Sequence, residues 1–534
     1  MKDDSSCSRI QPRFTAALLT AFLSLSLFAP VAVRDAGADV RLPAVFSPNM
    51  VLQRDAELPV WGWAEAGEKV GVSIGDNRAI ATADKGGKWM VRLKPMAAGG
   101  PHKLVVEAAN RIELGGVLIG EVWIGSGQSN MAMSVSRSKD YENEKRAADF
   151  PLIRMFSVSR ASATSPQGDC QGEWKICSPE TVGGFSATAF FFGRELHNNL
   201  GGVPVGLINT SWGGTAVEAW TSMSAQMYLK GFDQVMAPWK TQIDGYDPVK
   251  AKARHEDALK KWTARAASAK AQKKRAPRKP QLQGDPRKNQ NHPANLFNGM
   301  VNPLIPYAIR GAVWYQGERN SGQTFAQLYD EQLGALIADW RRRWGQGNFP
   351  FAWVQLPNYM EQQTEPVEDR GWVVVRDSMQ RALSVPNTGM AITTDIGEAK
   401  DIHPKNKQDV GRRLGWWALA EVYGKDVASS GPLFRSFSIA DGEVAVSFEH
   451  AYGGLKAKGG EVKGFAIAGA DKKWRFAKAR IEGDSVVLSH PEVKAPEAVR
   501  YNWAANPIGN LFNGADIPAA QFRTDDWKLN VTGR

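Results

Sequence analysis

The chain has 534 residues, about three times a usual domain, so two or three domains and a large buried core are expected. Its composition, 43% hydrophobic and 23% charged with 52 Gly and 29 Pro, excludes wholesale disorder, collagen and a disulfide-built miniprotein. Residues 250 to 288 hold 14 Lys or Arg against Glu256, Asp257 and Asp285, so the whole formal charge of +11 sits in one segment.

At the N-terminus, Lys2, Arg9 and Arg13 precede an uncharged stretch from Phe14 to Val33, followed by the small-x-small sequence Ala36-Gly37-Ala38. This is the pattern of a secretory signal peptide over residues 1–38. An uncleaved anchor is the competing reading, but Thr15, Thr20, Ser24, Ser26 and Pro30 interrupt the stretch. The expectation is an exported protein, periplasmic or extracellular, with no stable membrane insertion after cleavage. Cys7 lies in the signal; Cys170 and Cys177 remain, and export would allow them to pair or to stay as two free buried thiols.

From Asp39 to about Ile119 apolar and polar residues alternate, as in Val70, Val72 and Ile74, with turn signals at Asp76-Asn77, Gly86-Gly87 and Gly99-Gly100. That predicts an all-β, sandwich-like module over 39–119. From residue 120 to 428 strands alternate with helices. Val122 to Ile124, Val203 to Ile208, Ala312 to Tyr315, Phe351 to Leu356 and Met390 to Thr393 are of strand length. Helical stripes run through Ser186 to Leu200, through Phe325, Leu328, Leu333, Leu336, Ile337, Trp340 and Trp344, and through Val410, Leu414, Trp417 and Ala418. Such alternation predicts an α/β domain with a parallel sheet covered on both faces, and a ligand beyond the C-terminal strand ends. The basic tract, within an insertion at about 235–290, reads as a solvated helix ending in Ala276-Pro-Arg-Lys-Pro280. With the remainder neutral, no nucleic-acid partner is expected. Alternation returns over 429–534, as in Val444, Val446 and Phe448, and predicts a second β module.

Four strings could carry chemistry. Gly125-Ser-Gly-Gln128-Ser129-Asn130-Met131 follows a strand, a setting in which a serine on a glycine-assisted turn projects its hydroxyl above the sheet edge. Asn209-Thr-Ser-Trp-Gly213-Gly214 also follows an apolar run, and paired glycines let a backbone amide approach a developing negative charge. Trp314-Tyr-Gln316-Gly-Glu318-Arg-Asn320 places amides and a carboxylate at a third strand end, where they bind substrate, support a base or knit loops together. Asp401-Ile-His403-Pro404 sets a histidine between an aspartate and a helix start, whereas the other six histidines fall in β modules, loops, the basic tract or a helix end.

These strings, with Phe46-Ser-Pro-Asn-Met-Val-Leu-Gln-Arg54 and the extension of the last one to Lys407, resemble the sialate O-acetylesterase family within the SGNH hydrolases. The resemblance covers nearly all of the chain beyond the signal. It implies a three-layer, flavodoxin-like hydrolase core between the β modules, no metal or other cofactor, and acetyl esters on sugars as substrates. Carried over by position, it makes Ser129 the nucleophile, His403 the base, and the Ser129 amide with Gly213 or Gly214 the oxyanion donors. Two departures stand out. The superfamily's acid usually lies three residues before the histidine, where this chain has Lys400, so Asp401 and Glu318 compete for the acid role. A third oxyanion donor falls among Gln316, Glu318 and Asn320, with Gln128 and Asn130 as further substrate contacts. An acetylxylan or other plant-polysaccharide esterase is the alternative within enzymes, and a non-catalytic carbohydrate-binding protein the alternative outside them.

Overall fold

The computed structural model describes residues 39–322 and 326–533; the N-terminal stretch expected to be a signal, with Cys7, and Phe325 of the expected helical stripe lie outside these residues. Seven strands form the sheet that organises the chain: β1 (Arg111–Gly127), β2 (Phe150–Ser157), β3 (Trp174–Cys177), β4 (Val205–Ser211), β5 (Gly311–Tyr315), β6 (Phe351–Val354) and β7 (Thr388–Ala391). Their spatial order is β7-β6-β5-β1-β4-β2-β3, parallel throughout except for the antiparallel edge strand β3. Four helices cover it: α1 (Ala187–Asn199), α2 (Tyr329–Trp344), α3 (Gly371–Arg381) and α4 (Lys407–Glu421).

The period of two in the strands divides the core. Val122, Ile124, Ala312, Trp314, Phe351 and Trp353 point to one side, where Leu333, Leu336 and Trp340 of α2 and Val374 and Val375 of α3 meet them. Trp123, Leu207, Val313, Ala352 and Val354 point to the other, against Phe190 to Phe192 of α1 and Val410, Leu414 and Trp417 of α4. Strands buried on both faces need apolar residues at every position, which is why they read as unbroken runs. Helix starts follow local chemistry: the Ser186 hydroxyl accepts from the Ala189 amide at 3.2 Å, and Asn406 Oδ1 accepts from the Asp409 amide at 3.1 Å.

The expected boundary at 119/120 falls inside β1. Its first half pairs with the antiparallel strand Gly99–Glu107 and the parallel strand Val51–Gln53, and its second half enters the seven-stranded sheet, so one strand threads both regions. Where they meet, Glu121 is fully buried and bound by Arg54, by Arg310 Nε at 2.8 Å and by the Tyr423 hydroxyl at 2.9 Å. Burial works against the carboxylate, but the two guanidinium groups prevail and hold it below its ordinary range.

At the C-terminus, one antiparallel sheet carries Val444, Val446 and Leu488 and another carries Phe465, Ile467, Val499 and Tyr501, and these side chains form one small core. The basic tract is a 24-residue helix, Pro248–Ala271, started by Asp247 and buried only at Ala251. Cys170 and Cys177 are both free thiols; Cys177 Sγ turns to the Ala148 carbonyl at 3.7 Å, and burial pushes each thiol up to about 12. No described helix is long and apolar enough to cross a membrane.

Candidate active site

Ser211, Gly127 and Tyr315, the last residues of β4, β1 and β5, stand opposite one another in register. Three of the four strings therefore leave the sheet side by side. Later strands are added on both sides of β1, β2 and β4 on one and β5 on the other, so the strand order switches at β1, the place where such sheets hold their ligands. Gly127 has φ +135°, and a Cβ there would come 2.2 Å from the Tyr315 carbonyl oxygen, so only glycine fits. The Gln128 amide donates to that same oxygen at 2.9 Å, and the chain turns into the single helical turn Ser129–Ala132.

The fourth string arrives from the loop between β7 and α4. It places His403 Nε2 at 2.8 Å from Ser129 Oγ, within hydrogen-bond reach. The His403 amide donates to Asp401 Oδ1 at 2.9 Å, closing a small side-chain turn, and that bend brings the same oxygen to 3.6 Å from His403 Nδ1. A spacing of two residues thus suffices. Asp401 is 46% exposed at its side chain and His403 30%. Burial lowers the imidazole's pKa, with Asp401 opposing the shift, so the ring is neutral and basic at neutral pH.

Beside Ser129 lies the glycine pair. A Cβ added to Gly213 would fall 3.1 Å from Ser129 Cβ, so the bare Gly213 backbone packs against Ser129, and Gly214 follows at φ +74°. Trp212 N donates to the Gly127 carbonyl at 3.0 Å, while Asn291 accepts from Ala216 N at 2.9 Å and donates to the Gly214 carbonyl at 3.1 Å. At the start of a helix the Ser129 amide has no intrahelical acceptor and is available to an oxyanion.

The side chains of the third string bond chiefly to one another and to the neighbouring loops. Gln316 Nε2 donates to Asn320 Oδ1 at 2.7 Å and to the Thr215 carbonyl at 2.9 Å, with Gln128 Oε1 at 3.2 Å, while its own Oε1 accepts from the Tyr329 hydroxyl at 2.7 Å. Its donors are spent on the loops. Asn320 is likewise held by the buried Glu218, and Gln128 Oε1 also accepts the Arg319 amide at 3.2 Å. These amides form the floor that fixes the strand ends. Glu318, fully buried, meets Asn130 Nδ2 at 2.6 Å, and among the described contacts none joins it to His403. Burial pushes its pKa up to about 7, and that of nearby Lys407 down to about 7. Sequence reasoning gave no role to Glu218, Asn291 or Lys407. Lys407 alone carried a signal, as the end of the fourth string.

The comparisons with known proteins agree with one another. Residues 119–246 and 289–420 match the family described as "Carbohydrate esterase, sialic acid-specific acetylesterase", and the gap between the two spans holds the basic helix. Sialate O-acetylesterase from Rattus norvegicus is 30% identical over 445 residues, 76% of this chain and 78% of that one. The Homo sapiens sialate O-acetylesterase is 30% identical over 453 residues, 77% of each chain. A crystal structure of a carbohydrate acetylesterase from Xanthomonas citri superposes with a TM-score of 0.77 at 34% identity, covering 92% of this chain and all of that one.

Proposed function

The chain belongs to the sialic acid-specific acetylesterase family of carbohydrate esterases and is a carboxylic ester hydrolase acting on acetylated sugars, and from that premise we propose a serine mechanism on sialic acid or a related acetylated glycan. The observation that carries the mechanism is the 2.8 Å contact between Ser129 Oγ and His403 Nε2, at the end of the central strand. Ser129 attacks the acetyl carbonyl as its proton passes to His403 Nε2, and the new imidazolium sits beside Asp401. The amides of Ser129 and of Gly213 or Gly214 take up the tetrahedral oxyanion. Collapse breaks the ester C–O bond, and His403 returns the proton to the sugar oxygen. Acetyl-Ser129 is then attacked by a water that His403 deprotonates, and acetate leaves as the proton returns to the serine.

Asp401 takes the acid role in this reading, since its carboxylate lies by the ring while that of Glu318 is bound to Asn130. The parallel sheet with its helices serves as a three-layer SGNH-type core, between β modules at 39–119 and 429–534. The protein works outside the cytoplasm after loss of residues 1–38, a reading supported by the charge and apolar pattern of that stretch. Acetate release from O-acetylated sialic acids and from acetylated xylan, measured side by side, tests the substrate. Turnover of the xylan alone overturns the sialate reading, and Ser129→Ala retaining a tenth of the wild-type rate overturns the mechanism.

A further inference from the structure

A buried lysine is an expensive side chain to place at the start of a helix. Removal from water costs several kcal/mol, and the N-terminal end of the helix dipole repels a cation. Lys407 is the first residue of α4 and has no exposed surface. Its Nζ donates to Asn130 Oδ1 at 2.8 Å and to the Pro404 carbonyl at 2.5 Å, and it lies 5.4 Å from the centre of the Tyr315 ring. Asn130 follows the nucleophile and Pro404 follows the base. Asn130 Nδ2 completes the link, donating to the Ile402 carbonyl at 3.0 Å and to Glu318 Oε1 at 2.6 Å. One buried ammonium and one buried amide therefore tie residues on both sides of His403 to the residue beside Ser129.

We propose that Lys407 is a positioning residue: acting through Asn130, it holds the Ser129 turn and the His403 loop at reacting distance, with Glu318 as its counter-charge. The inference rests on Ser129 and His403 carrying the chemistry. Apart from the Ser129–His403 contact itself, no other bond joins the two loops so close to the reacting atoms among the described contacts: Lys139 N to the Lys405 carbonyl at 2.7 Å lies further out. Asn406 caps α4, and α4 packs on α1, so the ammonium is delivered from a rigid element. Charged or titratable groups around it are Glu318 from the β5 end, Glu398, Asp401 and His403 from the loop before α4, and Arg137 from the segment after the Ser129 turn. A displacement of about 1 Å between nucleophile and base costs on the order of 10²-fold in rate.

The test compares Lys407→Met with the double variant Lys407→Met/Glu318→Gln, which removes both buried charges and so folds without an unpaired carboxylate. Each is assayed for turnover of a small acetyl ester and for the rate at which a fluorophosphonate labels Ser129, with circular dichroism and Tm as the folding check. The expected result is a folded protein whose kcat and labelling rate are both about 10²-fold lower, with KM within about threefold. A lower Tm with normal labelling and normal kcat in the folded protein shows a purely structural lysine and overturns the proposal. If Lys407→Met does not fold, the double variant decides by the same two rates read against Glu318→Gln alone: a further loss of both supports the proposal, and rates equal to those of Glu318→Gln overturn it. Failure of the unaltered protein to label at Ser129 overturns the catalytic reading itself and is told apart by that control.

Discussion

Asp401→Asn is the most informative single change at the site. Asparagine keeps the oxygen that accepts the His403 amide, so the bend holding the imidazole persists while the negative charge goes. At the observed 3.6 Å, an imidazolium and a carboxylate attract by about 1 kcal/mol in bulk water and by about 4 to 5 kcal/mol at an effective dielectric of 20. With the Asp401 side chain 46% exposed, solvent screening brings the value between these limits, about 1 to 4 kcal/mol. The imidazolium exists in the transition state and not in the resting enzyme, so this interaction appears in kcat as a loss of roughly five- to a thousandfold. The pH profile gives a second reading. Burial sets the His403 pKa below its ordinary value and Asp401 opposes it, so the acid limb of kcat/KM lies below the usual histidine range and moves further to acid in the variant. Steady-state turnover of a small acetyl ester from pH 5 to 9, with circular dichroism as a check on folding, measures both. Glu318→Gln keeps an acceptor for Asn130 and is expected to cost about ten- to a hundredfold. Near-normal kcat with an unmoved acid limb in Asp401→Asn, alongside a nearly dead Glu318→Gln, refutes the reasoning and transfers the acid role to Glu318.

Gly213→Ala brings a methyl group to 3.1 Å from Ser129 Cβ and should lower kcat tenfold or more, with Tm changed by only a few degrees, as read by turnover and thermal melts. Glu121→Gln leaves Arg54 and Arg310 without their shared carboxylate and should destabilise by about 3 to 5 kcal/mol, measured by urea unfolding. Because the folded state holds Glu121 below its ordinary value, its stabilisation is present at neutral pH and is lost as pH falls through the depressed pKa, so the variant's deficit should shrink in acid. Cys170 and Cys177 should both react with a thiol reagent once the protein is unfolded, without prior reduction, and reductant should leave Tm unchanged. Replacing residues 255 to 280 by a short Gly/Ser linker should keep turnover of a small acetyl ester within a few-fold, since the helix there is exposed nearly throughout.

The sequence was legible where one local pattern has one structural meaning. Unbroken apolar runs became strands with a core on each face, and Gly127, two residues before Ser129, marked a turn that no side chain could make. The join between the N-terminal module and the sheet was not, because alternating and continuous apolar residues follow one another within β1 and its glycine pair, Gly115-Gly116, lies inside the strand instead of ending it. Composition also cannot reveal the partners of Gln316, whose amide donates to Asn320 on its own strand end and to Thr215 beyond the end of β4. Lys407 was visible as a residue, but its partner Asn130 lies 277 positions away, and only folding shows that a cation sits there without water. The two-residue spacing of Asp401 and His403 was legible, while the side-chain turn that brings the carboxylate to the ring shows only in the structure.

The central claim is an acetyl group carried on Ser129. Mixing the enzyme with excess acetyl ester, quenching in acid during turnover and mapping peptides by mass should place one added acetyl group on the peptide holding Ser129, and the group should be absent in Ser129→Ala. Quenched enzyme without that adduct at any time in the burst phase, together with Ser129→Ala turning over at a rate near that of the unaltered protein, contradicts the account.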